Sequence, residues 1–220
     1  MTPEPPDLDE HHELAAIGPE QLAPNAAFEL AELSGETQSP TNGSIHARGL
    51  AWSMCRLTGR SLMGSTLAAM RCVDCVFDRA DAANATWGDA RLVRCRFNAC
   101  KLTGLDIRGG TLRDVAFHDC KMPDAFMPET ALDRVLFESC QLSGLDLSGA
   151  KLAKVALRDC DARNLNLLGA RVDTLDLRGS QIEGLSIEPR SVVQIILDPT
   201  QSPALAMAMG ARILGPHEQA

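Results

Sequence analysis

Cysteine and histidine are the residue types through which this 220-residue chain could carry redox, metal or nucleophilic chemistry. Cys72 and Cys75 have the Cys-x-x-Cys spacing that redox dithiols and zinc sites use. His118 lies two positions before Cys120, and a histidine within hydrogen-bonding reach of a cysteine can activate the thiol as a nucleophile. Each of these chemistries requires particular side chains to lie close together. The secondary structure that carries the cysteines and histidines therefore decides whether any of these chemistries is possible.

Apolar residues recur at every fifth position along most of the chain. Stepping by five from Trp52 to Val192 gives 29 positions, and all of them are apolar. At 45% hydrophobic composition, a run of this length has a chance probability on the order of 10⁻¹⁰. The residue two positions before each centre is generally small or apolar, so two residues in five point inward. Neither a helix nor a plain strand has this period, so each unit is predicted to be a short extended piece followed by a corner.

Like residues also recur every 20 positions, which indicates that four five-residue units close one coil. Coils of a β-helix lie about 4.8 Å apart, so residues 52–192 would form a rod of about seven coils and roughly 34 Å. Like side chains would then stack along the inside of the rod. Two core ladders are predicted, one of Phe77, Phe97, Phe117 and Phe137 and one of Cys100, Cys120, Cys140 and Cys160.

The register places the chemically capable residues where they cannot cooperate. All eight cysteines fall on inward positions, and thiols buried in apolar surroundings are unreactive. His118 falls on an outward position, which separates it from Cys120. His11 and His12 lie outside the repeat and would make at best a weak metal site. A narrow, packed interior also leaves no room for a substrate pocket. We therefore expect no catalytic residue, no metal site, no cofactor and no enzymatic activity.

The repeat resembles that of the pentapeptide-repeat family, whose loose consensus is A(D/N)LXX. The match is close at residues 145–149 (LDLSG), 150–152 (AKL) and 175–179 (LDLRG). The resemblance implies an all-β fold, a right-handed quadrilateral β-helix, in an assembly that is often dimeric. Glycines that follow inward centres, such as Gly104 and Gly144, fit corners that need unusual backbone dihedrals.

The ends of the chain do not follow the repeat and divide it into three predicted regions. Residues 1–47 are predicted to form an acidic N-terminal tail and cap, 48–192 the β-helix, and 193–220 a C-terminal cap and dimerisation helix. A short helix is predicted between Asp9 and Ile17, followed by a polar loop over residues 34–44. Phe28, Leu30 and Leu33 are predicted to pack over the first coil, because the open end of a solenoid exposes core and unpaired backbone groups.

A short α-helix is predicted near the C-terminus, with Ser202 as its N-cap, Pro203 in its first turn and Gly210 as its stop. The segment between is apolar on almost every side, so one face can cap the last coil while the other lacks a partner. We expect that second face to pack against another copy of the chain in a two-fold homodimer. The alternative is a cap alone, with methionines partly exposed. The predicted dimer interface comprises Leu205, Met207, Met209 and Ile213.

Charge is distributed unevenly, both along the chain and around the rod. The formal net charge is −8, but residues 1–47 hold nine acids and no lysine or arginine, which leaves 20 acids against all 21 basic residues in 48–220. Solvated surfaces commonly carry mixed charge, yet the register here separates the two signs. A basic face carries Arg71, Arg91, Arg94, Arg113, Arg134, Lys151, Lys154 and Arg171 against Asp74, Asp114, Asp133 and Asp173, a net charge of +4. An acidic face carries Asp89, Asp106, Glu129, Asp146 and Glu188 against Arg108.

The resemblance also implies a class of partner. Pentapeptide-repeat members of the MfpA and Qnr type, similar in length and with a C-terminal helix, bind type II DNA topoisomerases, and some protect DNA gyrase from quinolones. This implies a DNA-mimicking rod whose acidic face enters the DNA-binding saddle of DNA gyrase or topoisomerase IV. The alternative is a general protein-interaction scaffold without a topoisomerase partner. Short apolar runs and the absence of a secretory pattern predict a cytoplasmic protein with no membrane association, and we expect no direct nucleic-acid binding.

Overall fold

A computed structural model describes residues 2–7, 15–16, 23–29, 31–34, 45–189 and 194–214. These residues form short strands that pair in parallel to build a β-solenoid of about eight turns, with one short helix near the C-terminus. The predicted β-helix is confirmed. No helix in these ranges is both long and apolar enough to cross a membrane.

The strands are two to eight residues long. In chain order they are β1 (Ala15–Ala16), β2 (Ala27–Glu29), β3 (Ala31–Ser34), β4 (His46–Arg48), β5 (Ala51–Ser53), β6 (Arg56–Thr58), β7 (Thr66–Ala68), β8 (Arg71–Val73), β9 (Val76–Asp78), β10 (Arg91–Val93), β11 (Arg96–Asn98), β12 (Thr111–His118), β13 (Ala131–Glu138), β14 (Lys151–Ala153), β15 (Val155–Arg158), β16 (Arg171–Val172), β17 (Leu175–Asp176) and β18 (Ile195–Ile196).

Successive coils pair every 20 residues from His46 onward. On one face β5, β8 and β10 lead into β12, β13, β14 and β16, and on the adjacent face β6, β9 and β11 lead into β12, β13, β15, β17 and β18. Single bridges, such as that from Asp106 to Phe126 and on to Asp146, continue the same register on the remaining faces. Because each coil exchanges N–H···O=C hydrogen bonds with the coils before and after it, the wall of the rod satisfies its own polar groups.

The interior is filled by the inward residues that the five-residue period predicts. Of the 28 positions stepping by five from Trp52 to Ile187, 27 are buried and only Val172 is half-buried. Phe77, Phe97, Phe117 and Phe137 form a continuous stack, with ring centroids 4.4, 4.8 and 4.8 Å apart. Each stacked pair contributes roughly 0.5–1.5 kcal/mol beyond simple burial.

Part of the segment before residue 48 also joins the sheet, in a shifted register. Ala27 pairs with Ala51 and Leu33 with Leu57, so each pair is 24 positions apart instead of 20. Four additional residues between Ser34 and His46 account for this offset. Because β2 and β3 fall outside the five-residue register, the sequence pattern predicts about seven coils where the structure has about eight.

The N-terminal predictions have mixed outcomes. Phe28 lies opposite Trp52 and packs against the core, as predicted. The helix predicted between Asp9 and Ile17 is wrong at Ala15 and Ala16, which form β1 beside β3. The pairing available along the exposed edge of β3 outweighs the helical preference of two alanines. The other residues of that helix, Leu30 and residues 35–44 of the predicted loop lie outside the described residues.

The C-terminal end of the rod is closed by a 3-10 turn, Pro199–Gln201, followed by helix α1 (Ser202–Ala208). Gln201 is buried, and its Nε2 donates to the carbonyl oxygens of Leu177 and Ser180 at 2.6 Å each. Asp198 accepts a hydrogen bond from the Gly179 N–H at 2.9 Å. These bonds satisfy backbone groups that the last coil would otherwise leave unpaired.

The ends of α1 differ in part from the prediction. Ser202 is the first helical residue and not the N-cap, because the preceding 3-10 turn, capped by Asp198, already leads into the helix. Gly210 stops the helix as predicted, with a left-handed φ of +84°. The N–H of Gly210 donates to the Met207 carbonyl and that of Ala211 to the Ala206 carbonyl, both at 2.9 Å, which is the Schellman pattern.

Candidate protein-interaction surface

The cysteine ladder stabilises a corner of the rod from within. Each of its thiols donates weakly to two backbone carbonyl oxygens, one 2 and one 23 positions earlier, at 3.2–3.5 Å. Ser180 continues the ladder, and Thr130 takes the equivalent place at another corner. Their hydroxyls also donate to the carbonyl 23 positions earlier. At these inward positions, cysteine, serine and threonine each combine a small side chain with a hydrogen-bond donor. The four buried thiols are Cys100, Cys120, Cys140 and Cys160.

The thiolate form is disfavoured at one cysteine of the Cys-x-x-Cys pair and at one cysteine of the ladder. Burial raises the pKa of Cys72 well above its usual range. Hydrogen bonding with Cys100 and Cys140, reinforced by burial, raises the pKa of Cys120 in the same way. All eight cysteines are buried and unpaired by disulfides. Since the thiolate is the reactive form, these groups act as packing residues and weak donors.

The imidazole of His118 points away from the Cys120 thiol, which donates instead to the His118 backbone carbonyl. Its ring is half-buried on the outer wall, where Nδ1 lies 3.0 Å from Oε2 of Glu138 in the next coil. The Cys120 thiol lies inside the wall. Within the described ranges, no group of three His, Cys, Asp or Glu side chains could hold a metal ion. His11 and His12 lie outside those ranges.

The acidic face presents two exposed carboxylates at one corner of the rod. Asp89 and Glu129 both have left-handed backbone, with φ of +58° and +56°, and lie two coils or about 10 Å apart. The coil between them has Gly109 at this corner, and a Cβ added there would lie 2.9 Å from Asp89 Oδ1. Because Gly109 has no side chain, the Asp89 carboxylate can lie over it.

Asp106 and Asp146 are half-buried on the flat part of the same face and support its backbone. Asp106 Oδ1 accepts from the Arg108 N–H at 3.0 Å, and the Arg108 guanidinium contacts both carboxylate oxygens. Arg108 also lies over the Phe126 ring, 5.0 Å from its centroid. Asp146 Oδ1 accepts from the Ser148 N–H at 2.7 Å. Glu188 is half-buried on this face too. Most of the exposed negative charge therefore belongs to Asp89 and Glu129.

The basic face has a corner at which the sign of the charge alternates from coil to coil between Asp74 and Arg134. Arg94 donates to both oxygens of Asp74 at 2.7 and 2.6 Å, and Arg134 donates to both oxygens of Asp114 at 2.6 Å. The two carboxylates are only 6% and 3% exposed. Arg134 also contacts Asp133 at 2.9 Å. These pairs engage two of the eight basic residues of the face with acids of the same face. The corner runs Asp74, Arg94, Asp114, Arg134 and Lys154.

Comparison with known proteins agrees with this architecture. A sequence family described as a pentapeptide repeat region matches residues 90–167 and, in a second overlapping match, residues 111–187. Residues 90–187 of the chain are thus a pentapeptide-repeat region. Comparison with curated proteins gives no match.

Three solved structures illustrate what the pentapeptide-repeat chain is similar to. QnrB1, a plasmid-mediated fluoroquinolone resistance protein, is 17% identical with a TM-score of 0.49, over 89% of this chain and 100% of that one. HetL from Nostoc sp. strain PCC 7120 is a pentapeptide-repeat protein involved in heterocyst differentiation regulation. It is 17% identical with a TM-score of 0.42, over 74% of this chain and 78% of that one. WceF from Pantoea stewartii is a glycan biofilm modifying enzyme with a parallel β-helix. It is 13% identical with a TM-score of 0.44, over 76% of this chain and 31% of that one. At such identities function has to be argued from this chain's own surface.

The pentapeptide-repeat protein has an apolar patch at its C-terminal end. Leu205 is half-buried and packs against the core together with Ala204 and Ala208. Met207 is 64% exposed and Ile213 is 53% exposed. Helix α1 thus covers the last coil with one side and leaves the other side uncovered within the described chain. Met209, Leu214 and Ile196 are exposed at the same end.

One contact of the pentapeptide-repeat protein is missed by reasoning from sequence. Residues 2–7, hereafter the strap, lie on the basic face: the N–H of Glu4 donates to Asp114 and that of Asp7 to Asp74. The sequence predicts residues 1–47 as an acidic tail and cap, and this prediction includes no contact between residues 2–7 and the basic face. Two features of the sequence are consistent with this contact. Pro3 and Pro6 are three positions apart, and acidic and basic residues alternate along the corner from Asp74 to Arg134.

Proposed function

We propose that this pentapeptide-repeat protein is a non-enzymatic interaction protein that binds a type II DNA topoisomerase, DNA gyrase or topoisomerase IV, and protects it from inhibitors. The acidic face is the contact, and the rod takes the place of duplex DNA. One observation supports this most: Asp89 and Glu129 stand exposed at one corner of a rod whose 20-residue register is unbroken from His46 to Ile187. The family resemblance supplies the class of partner, and the surface supplies the site. A partner of this class places the protein in the cytoplasm.

Charge density sets how closely the rod can imitate DNA. The five acids of the acidic face span about five coil rises, or roughly 24 Å. Duplex DNA carries about 14 charges over that length, at one per 1.7 Å. The face therefore has about a third of the charge density of DNA. Steering by opposite charge would operate, but shape and the rigid β wall must contribute much of the binding.

A gyrase supercoiling assay tests this proposal. The protein is added at micromolar concentration, with and without a fluoroquinolone. The proposal expects either inhibition of supercoiling or a higher fluoroquinolone concentration for half-inhibition. The absence of both effects, with gyrase and with topoisomerase IV, would remove the topoisomerase from the proposal.

A general protein-interaction scaffold is the second candidate. Arg108 pairs with Asp106 and covers Phe126, so the centre of the acidic face is a mixed polar and aromatic surface. Such surfaces are typical of protein contacts in which no long-range field is needed. Two results together would support this candidate. The topoisomerase assay would be negative, and substitutions on the acidic face would weaken binding to a different protein.

We also propose that two copies associate through the C-terminal end. Met207, Met209 and Ile213 are exposed apolar residues at this end of the rod, within a few positions of the half-buried Leu205. A two-fold axis would bring the same patch of both copies together and remove it from water. The rod would then extend in both directions from the dimer contact, which doubles the length available for a partner.

A further inference from the structure

The strap lies along a corner of the rod that is far from it in sequence. The backbone N–H of Glu4 donates to Asp114 Oδ1 at 3.3 Å, and the N–H of Asp7 donates to Asp74 Oδ1 at 2.9 Å. Pro3 is buried against the rod. The strap is thus held by two backbone donors and by apolar burial, while its acidic side chains face solvent.

Prolines give the strap the period of a polyproline II helix. Pro3 is buried and Pro6 half-buried, whereas Thr2, Glu4, Pro5 and Asp7 are exposed. Proline fixes its own φ, and the residue before a proline is also driven to extended conformations. A polyproline II helix has three residues per turn, so residues three positions apart face the same side. The two inner prolines and the two donating residues both have this spacing.

The strap and the rod have matching repeats. A rise of about 3.1 Å per residue separates the N–H groups of Glu4 and Asp7 by about 9.3 Å. Asp114 and Asp74 lie two coils apart, which corresponds to about 9.6 Å. Because the two distances agree within an ångström, both donors reach a carboxylate without distortion of either partner.

Each of the two acceptor carboxylates is oriented by an arginine of the next coil. Arg94 fixes the Asp74 carboxylate and Arg134 fixes that of Asp114, each through two hydrogen bonds. Charged acceptors form stronger hydrogen bonds than neutral carbonyl groups. The pKa of Arg94 is raised, chiefly by the hydrogen bond to Asp74 and in smaller part by the charge of Glu4. The corner therefore offers two rigid anionic acceptors, with cationic groups beside the acidic side chains of the strap.

We propose that the corner formed by Asp74, Arg94, Asp114 and Arg134 is a binding site for extended proline-rich peptides. Its ligand has two prolines three positions apart, each followed by a residue with a free backbone N–H. The strap occupies this site in cis, and a proline-rich segment of another polypeptide occupies it when the strap is displaced. A tethered strap has an effective concentration in the millimolar range, so a peptide in trans competes poorly until the strap is released.

Substitution of the two donors by proline tests the occupancy in cis. Glu4→Pro with Asp7→Pro removes both N–H groups but keeps the polyproline II conformation. Glu4→Ala with Asp7→Ala removes the same two charges but keeps the donors, which makes it the matched control. A fluorophore attached at Thr2→Cys reports the mobility of the strap, because the eight native cysteines are buried. We expect low anisotropy in the proline variant and near wild-type anisotropy in the alanine variant. Equal anisotropy in both variants would overturn the role of the N–H groups.

A labelled peptide, acetyl-TPEPPD-amide, tests the site in trans by fluorescence polarisation. We expect it to bind the proline variant at least tenfold more tightly than the alanine variant, whose strap still occupies the corner. Adding Asp74→Asn and Asp114→Asn to the proline variant should abolish binding. On the unchanged proline variant, a TPAPPA peptide should bind and a TPPPPP peptide should not. Binding of the last two peptides with equal affinity, or of neither, would overturn the proposal, and circular dichroism verifies that each variant is folded.

Discussion

Arg134 donates two hydrogen bonds of 2.6 Å each to the carboxylate of Asp114, one coil earlier on the same corner. The Arg134 hydrogen bonds hold the pKa of Asp114 below its ordinary value of 3.8, against the opposing effect of burial. Burial is the largest influence on Asp74 and raises its pKa, but the Arg94 hydrogen bond, the Asp7 N–H and the Arg94 charge together outweigh burial and lower the pKa. Both carboxylates thus favour the ionised state in the folded protein.

These lowered pKa values predict a loss of stability in acid. Each pair contributes fully at pH values above the ordinary pKa of 3.8, and its contribution is lost as the pH falls through the lowered value of the folded state. Thermal unfolding measured from pH 6 to pH 2 should show a steeper decline for the wild type than for Asp114→Asn, which cannot titrate. Parallel curves for the two proteins would show that this pair is not linked to folding.

The phenylalanine stack makes a second prediction. Phe117 is fully buried between Phe97 and Phe137, with both centroid distances at 4.8 Å. Phe117→Ala should reduce the free energy of unfolding by about 3–5 kcal/mol, because the rigid coils above and below cannot close the cavity. Phe117→Leu should lose less, since Leu57 and Leu157 occupy the same ladder in other coils. A loss below about 1 kcal/mol for the alanine variant in urea unfolding would contradict the stacking.

The left-handed corners make a third prediction. Gly144 has a φ of +73°, and a Cβ added there would lie 2.5 Å from Oδ1 of Asp124 in the preceding coil. Gly144→Ala should cost about 1–2 kcal/mol through the backbone conformation. Because the Asp124 side chain can rotate away, adding Asp124→Ala should recover only a few tenths of a kcal/mol. Full recovery in a double-mutant cycle would show that the side-chain clash, and not the dihedral, requires glycine here.

Association through the C-terminal end makes a fourth prediction. Met207→Glu with Ile213→Glu places two charges in the exposed apolar patch and should convert a dimer to a monomer. Met63→Glu is the control, since Met63 is also 53% exposed but lies on the wall of the rod. Sedimentation equilibrium should give twice the monomer mass for the wild type and the control. A monomeric wild type across the micromolar range would contradict the proposed dimer.

The wall and core of this fold follow from sequence because each depends on a strictly local rule. A five-residue period predicts which side chains point inward, and burial from Trp52 to Ile187 agrees with it at all but one position. The prediction fails where the period breaks. Strands β2 and β3 pair at an offset of 24 residues, and no periodic pattern predicts the length of the connection that follows them.

The candidate surfaces follow from sequence only in part. Register assigns Asp106 to the acidic face, but it does not reveal that Arg108 neutralises much of its charge. Docking of the strap depends on contacts between residues that are 67 and 110 positions apart. These contacts require the three-residue spacing of the strap to match the distance between coils of the rod. Neither spacing alone predicts that the two segments meet.

The central claim is that the acidic face binds a type II topoisomerase, and the contact is best tested at Asp89 and Glu129. Asp89→Lys with Glu129→Lys reverses the two exposed charges, and Lys154 shows that lysine is accommodated in a left-handed corner. Asp119→Lys with Asp159→Lys is the matched control, because these exposed acids have the same backbone conformation and the same 40-residue spacing on another corner.

Direct binding to immobilised DNA gyrase, measured by biolayer interferometry at several salt concentrations, decides the question. The account predicts that the wild type and the Asp119, Asp159 control bind equally, with affinity that falls as salt rises. It predicts at least a tenfold weaker affinity for the Asp89, Glu129 variant. Equal binding by all three proteins, or no binding by the wild type, would contradict the claim.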